Sequence, residues 1–247
     1  MGAAEKTDRL ALRQFYEDIL NEPVWVTPTG FRAAALAVRA EIGRADEWGL
    51  DPAAFRLPDL AQGTDLTREQ RADAEIALSL AVLAYARHAR GGRVDPPSLS
   101  RNLDRKPQLF DPRRVIEAAA FADSPDAYLR GLHPQHPQFE RLRLYYLALK
   151  RGEHVQTEQA IQPSSKSSKR KRAVAKAPAR PSQRTLLANM EQWRWMPEDL
   201  GEFYVWVNIP EYTIRVVKAG RVVHSERVIV GRAKTQTPVF SHQMEQV

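Results

Sequence analysis

Phe203-Tyr204-Val205-Trp206-Val207-Asn208-Ile209, then Pro210-Glu211, then Tyr212-Thr213-Ile214-Arg215-Val216-Val217-Lys218-Ala219-Gly220, marks the change of period that divides this 247-residue chain. The first run is rich in β-branched and aromatic residues, the composition of a strand. In the second, Tyr212, Ile214 and Val216 fall on one face, the alternation of a half-buried strand. Ala219-Gly220 supplies a two-residue hairpin turn into a third run over residues 221–230, and Pro210-Glu211 supplies the tight link before it. The sequence thus predicts a three-stranded meander. Val239 and Phe240 read as the approach to another strand. A sheet this small has two open edges and is marginal alone, so the expectation is a β-rich domain cut short.

Just before the meander, residues 185–194 predict a short helix with Leu186, Met190 and Trp193 on one side, ended by Pro197. Residues 153–184 have no apolar periodicity and are dominated by Ser, Lys, Arg, Ala and Pro. Lys166, Lys169, Arg170, Lys171, Arg172, Lys176, Arg180 and Arg184 outweigh Glu153 and Glu158 there, so most of the formal charge of +7 sits in this segment. It reads as a disordered, self-repelling basic linker. Lys169-Arg170-Lys171-Arg172 suits contact with an anionic surface. No aromatics interleave with the tract, so nucleic-acid binding through it ranks last and is not expected.

Upstream, residues 8–152 predict an all-α domain. Asp8 is placed to cap a first helix bearing Leu12, Phe15, Tyr16, Ile19 and Leu20 on one face. A second helix is expected from Gly30 to Trp48, striped by Phe31, Ala35, Val38 and Ile42 and ended by Gly49. Thr67-Arg68-Glu69-Gln70 is a capping box. It opens a helix with Ile76, Leu78, Leu80, Val82, Leu83 and Tyr85, apolar nearly all round and therefore the expected centre of the bundle; Gly91-Gly92 stops it. Asp111-Pro112 and Ser124-Pro125 signal two further starts, and a last helix carries Phe139, Leu142, Tyr146 and Leu149. The fold class is α+β: helical domain 8–152, basic linker 153–184, and an incomplete β-rich domain 185–247.

Few residues suggest chemistry. With 43% hydrophobic residues a packed core is expected, and no run is long and apolar enough to span a bilayer. There is no cysteine, so these residues form no disulfide and offer no thiol. The start, Met1-Gly2-Ala3-Ala4-Glu5, has no apolar signal segment; either the chain is cytoplasmic or its recorded start lies downstream of the real one. His133-x-x-His136 lies in a Pro-rich turn without acidic partners and reads as a surface turn, not a metal site. His88 ends a helix, where a cation suits the dipole. His224 and Ser225 are neighbours on a strand and point to opposite faces, so they form no dyad. Glu17-Asp18 and Glu198-Asp199 read as solvated pairs, and neither a nucleophile elbow nor a phosphate-binding glycine loop occurs. No catalytic, cofactor-binding or metal-binding residue is assigned.

One block is more specific. Asn189-Met190-Glu191-Gln192-Trp193-Arg194-Trp195-Met196-Pro197, Asp199-Leu200-Gly201 and Tyr204 to Tyr212 resemble the start of the YkuD-type catalytic domain in large L,D-transpeptidases of the YcbB-like group. Val228-Ile229-Val230-Gly231 and Thr235-Gln236-Thr237-Pro238-Val239-Phe240-Ser241 resemble that family's next strand and Thr-Pro turn. Gly49-Leu50-Asp51-Pro52, Leu66-Thr67, Tyr85-Ala86-Arg87-His88, Gly92-Arg93 and Leu132-His133-Pro134 are similar to the group's helical scaffold domain. The resemblance implies acyl transfer between peptidoglycan peptide stems in the periplasm: a cysteine thiolate attacks the donor stem, a histidine activates it, and backbone amides hold the oxyanion. The family's histidine and Ser-His-Gly-Cys stretch follow the Thr-Pro turn, so the expectation is that they lie beyond Val247 and that the chain as given is inactive. His224 and His242 fall in the wrong part of the pattern. The alternatives are a non-catalytic interaction module of the cell envelope and, below it, a nucleic-acid-binding protein.

Overall fold

A computed structural model describes residues 3–60, 63, 65–153, 181–232 and 234–244. The N-terminal part is helical. Helix α1 (Ala3–Asp18) packs on α5 (Pro112–Phe121) and on α3 (Arg68–Gly91), and α2 (Ala33–Gly43) packs on α3 and α6 (Pro125–Gly131). The α3 helix is the centre that its all-round apolar pattern predicts: Leu78, Val82, Tyr85 and Ala89 are buried among Phe15, Trp25, Ile42, Ile116 and Leu129. Both halves of its capping box form. The Thr67 hydroxyl accepts from the Gln70 amide at 3.1 Å, and the Gln70 side chain accepts from the Thr67 amide at 2.9 Å.

Several local expectations change. Helix α1 starts at Ala3, so Asp8 lies inside it, buried and ion-paired with Arg87 at 2.6 Å instead of capping. Leu20 falls just past the helix at a φ of 55° and is exposed. The predicted second helix is shorter: its start, Gly30–Phe31, is β2, paired with the preceding β1 (Val26–Thr27), and its end at Ala45–Trp48 is a 3₁₀ turn after α2. Glu75 on α3 anchors the approach to this hairpin: its buried carboxylate accepts from the amides of Val24, Trp25 and Val26 and from the Tyr16 hydroxyl. Gly49 does end the turn, in the left-handed region at φ 74°. Asp111 caps α5 at 3.1 Å, but the Ser124 hydroxyl turns to Asp126 and leaves α6 without a side-chain cap.

A short α4 (Pro96–Leu99) and strand β3 (Leu103–Asp104) punctuate the proline-rich stretch. After α7 (Pro137–Lys150), residues 154–180 of the predicted linker, including Lys169, Arg170, Lys171 and Arg172, lie outside the described residues. Helix α8 (Gln183–Arg194) begins earlier than composition suggests, because Ser182 caps it by accepting from the Thr185 amide at 3.1 Å. It returns to α7 and buries Leu186 and Met190 against Phe139 and Tyr146.

The meander forms as predicted: β4 (Phe203–Asn208), β5 (Thr213–Lys218) and β6 (Arg221–Arg227) pair antiparallel in that order, with a bulge between Val216 and Val217. Ala219 and Gly220 both take positive φ, 48° and 71°, as a twist-matched two-residue hairpin requires. Strand β7 (Val239–Phe240) does not extend this sheet. It pairs in parallel with β3 of the helical part, Leu103 with Val239 and Asp104 with Phe240.

Candidate functional site

The meander is seated on the helical part through side chains of α8. Arg194 is buried and donates to the Trp48 carbonyl at 2.7 Å and to the Met190 carbonyl at 3.2 Å, with its guanidinium 5.3 Å from the Phe139 ring centre. Burial pulls its pKa down to about 10, with the charge of Glu191 acting the other way. Glu191 accepts from the Arg93 and Val94 amides and from Arg93 Nε, so α8 is fastened to the loop that leaves α3. That loop turns at Gly92, at φ 81° and ψ −177°, where a Cβ would stand 2.6 Å from Glu191 Oε1 and 2.9 Å from Trp195 Nε1. An aromatic ladder continues the contact: His136 stacks on Trp193 at 4.6 Å, and Trp193 meets Trp206 of β4 at 5.6 Å.

Pairing places Tyr204, Trp206 and Val217 on one face of the meander, and Val217 is buried there. Phe203, Val205, Val207, Ile214 and Val216 share the other face, where Phe203 and Val207 are exposed. Every residue of β6 is exposed. The Thr-Pro turn is folded: Thr237 Oγ1 accepts from the Gly231 amide at 2.8 Å. It is also tied to the helical part. The Val239 amide donates to the Asn102 carbonyl at 2.7 Å, Asn102 Nδ2 to Gln236 Oε1 at 3.1 Å, and Arg105 Nη1 to Ser241 Oγ at 3.0 Å.

The histidines find other roles than those expected. His133 is not in a surface turn: it is buried, stacked on Trp48 at 4.2 Å, with Nε2 2.8 Å from the Tyr85 hydroxyl. Burial, aided by the charges of Arg194 and Arg143, holds its pKa well below the ordinary value. His136 caps α7, its Nδ1 accepting from the Gln138 amide at 3.1 Å. The pair therefore splits between core and cap. At His88 burial, and then the Arg87 charge, lower the pKa, which runs against the helix-end cation expected there. His224 and His242 are exposed and lie outside the interlocking contacts. Among the described residues no cluster of three or more His, Asp or Glu side chains could hold a metal, and no helix is long and apolar enough to cross a membrane. A mainly apolar groove of about 220 Å³ is walled by Leu83, Ala86, Leu109, Phe110 and Val115 with Thr7 and the Asp8–Arg87 pair.

Residues 10–145, more than half of the chain, match the scaffold domain family, over the bundle centred on α3. The chain belongs to the scaffold domain family. Residues 202–247 match the L,D-transpeptidase catalytic domain, YkuD, over the meander and the Thr-Pro turn. No curated protein matches the chain significantly. The α8 helix falls between the two matched ranges and is the piece that joins them. Glu191 and Arg194 fall in the family-like block and Asn102 and Arg105 do not, but the partners of all four were not legible, because each lies about a hundred or more residues away.

Proposed function

We propose that these 247 residues are the scaffold and the first part of the catalytic domain of a YcbB-like L,D-transpeptidase, which transfers an acyl group between peptidoglycan peptide stems to make 3-3 cross-links in the periplasm. The observation that carries this reading is the L,D-transpeptidase match at residues 202–247, falling on a sheet locked to a scaffold-family bundle. The 247 residues hold no cysteine, so on this reading the thiolate nucleophile comes from sequence outside them, and by the family resemblance its activating histidine does too. The meander and the Thr-Pro turn then form one wall of the domain in which that cysteine works.

The purified chain is expected to bind no thiol reagent and to form no cross-link from tetrapeptide stems. The reading frame past Val247 is expected to encode a histidine and a Ser-His-Gly-Cys stretch, and the chain extended through them is expected to form 3-3 cross-links. Absence of that block in every downstream frame, or turnover by the 247-residue chain itself, overturns the proposal. Zero cysteines also suit a non-catalytic envelope module. That reading requires the extended chain to be inactive while the 247 residues still capture muropeptides.

A further inference from the structure

Arg105 stands out at the seam between scaffold and catalytic segment. It follows β3, and its Nη1 donates to the hydroxyl of Ser241, just past β7, while the same group touches the thioether of Met196. Its other guanidinium nitrogens have no hydrogen-bond partner among the described residues. No carboxylate forms an ion pair with it there. Four other half-buried or buried arginines differ: Arg87 has Asp8 at 2.6 Å, Arg90 has Glu198 at 3.4 Å, Arg143 has Glu140 at 2.8 Å, and Arg194 has Glu191 at 3.9 Å. Burial alone lowers the pKa of Arg105, with no anion acting against it.

Desolvating a cation without an anion is costly, and a tether to one serine hydroxyl needs no charge. A guanidinium with one edge engaged and the rest free is suited to a bidentate carboxylate. We infer that Arg105 is a carboxylate-binding residue that the scaffold lends to the catalytic domain, holding a free carboxylate of a peptide stem beside the Thr-Pro turn. The inference rests on the proposed function for the identity of the ligand. A stem bound there touches both matched regions at once, which gives the parallel β3–β7 pairing a purpose beyond closing the seam.

The test is titration of the 247-residue chain with a soluble tetrapeptide stem bearing free carboxylates, and with the same peptide fully amidated. Arg105→Gln is expected to weaken binding of the carboxylate peptide by about tenfold or more, and to leave the amidated peptide, already weak, unchanged. Arg105→Lys keeps the charge but loses the planar fork, and is expected to fall between the two. Ser241→Ala removes the tether and keeps the guanidinium, so it is expected to retain binding. Protection of the Val239 amide from hydrogen exchange reports whether each variant keeps the seam closed.

Equal affinity of wild type and Arg105→Gln overturns the inference, as does equal affinity for the two peptides. Loss of binding in Ser241→Ala in parallel with loss of Val239 protection shows a structural tether and overturns it too. Displacement of the peptide by inorganic phosphate at matched concentration assigns an adventitious ion only. Failure of the wild-type chain to bind any stem also sinks it. None of these outcomes decides the proposed function, which stands or falls on the extended chain's activity.

Discussion

His133 couples the stability of the bundle to acid. It lies between Trp48 and Tyr85 with Nδ1 buried and unpaired, so a second proton would have no acceptor and would sit near the charges of Arg194 and Arg143. A histidine held below its ordinary 6.5 binds fewer protons folded than unfolded. Its contribution is fully present above that value and is lost as pH falls below it toward the folded pKa, at up to about 1.4 kcal/mol per pH unit for one proton. His88 adds to this slope, and Glu75, whose pKa burial raises, opposes it. The useful quantity is therefore a difference between proteins. His133→Gln is expected to flatten the dependence of unfolding free energy on pH below about 6.5 by roughly one proton. Urea unfolding of both proteins across that range measures it, and parallel pH curves would show that His133 does not stay neutral in the fold.

Turns show the same dependence on particular residues at the scale of elements. Ala219 pays for the hairpin between β5 and β6 with a φ of 48°, a region that an alanine side chain disfavours and asparagine tolerates. Ala219→Asn is expected to stabilise the meander by roughly 0.5–1 kcal/mol. Slower hydrogen exchange at the Lys218 and Arg221 amides, which flank the turn, would register it; unchanged or faster exchange would mean that the turn is not what limits the hairpin. This hairpin was legible from Ala219-Gly220 because turn chemistry is local, and the capping box at Thr67 was legible for the same reason. The start of the helix expected from Gly30 was not, since Gly30 and Phe31 pair with Thr27 and Val26, in a strand whose approach is held by Glu75, about fifty residues on. Strand β7 was anticipated as an element, but its partner was not: two residues carry no register information, and β3 hides in a stretch whose prolines suggest only loop. The candidate site divides along the same line. Its family motif is local sequence, whereas Arg105 and Glu191 gain meaning only from the tertiary contacts they make.

For the whole molecule, the decisive feature is that α8 belongs physically to both matched regions. It leads directly into the meander, yet Leu186, Met190, Arg194 and Trp195 are buried beside the scaffold, and Glu191 closes the loop after α3. A three-stranded sheet with exposed β6 and few buried side chains has little stability of its own, so the catalytic segment depends on this seat. Cutting the chain between the two parts should therefore not separate them. With Lys169-Arg170-Lys171-Arg172 replaced by a site for a specific protease, the cleaved pieces are expected to co-elute in size-exclusion chromatography. Gly92→Ala should release them. Its backbone lies where only glycine is at ease, at a strain of roughly 1–3 kcal/mol for alanine, and the new Cβ would press on Glu191 and Trp195 from the scaffold side. The substitution thus strikes the fastening and leaves the helices on either side unaltered. Separation of the wild-type pieces would mean that the seat is too weak to position a catalytic domain. Co-elution in both proteins would place the binding energy elsewhere, in the β3–β7 seam or the aromatic ladder of His136, Trp193 and Trp206.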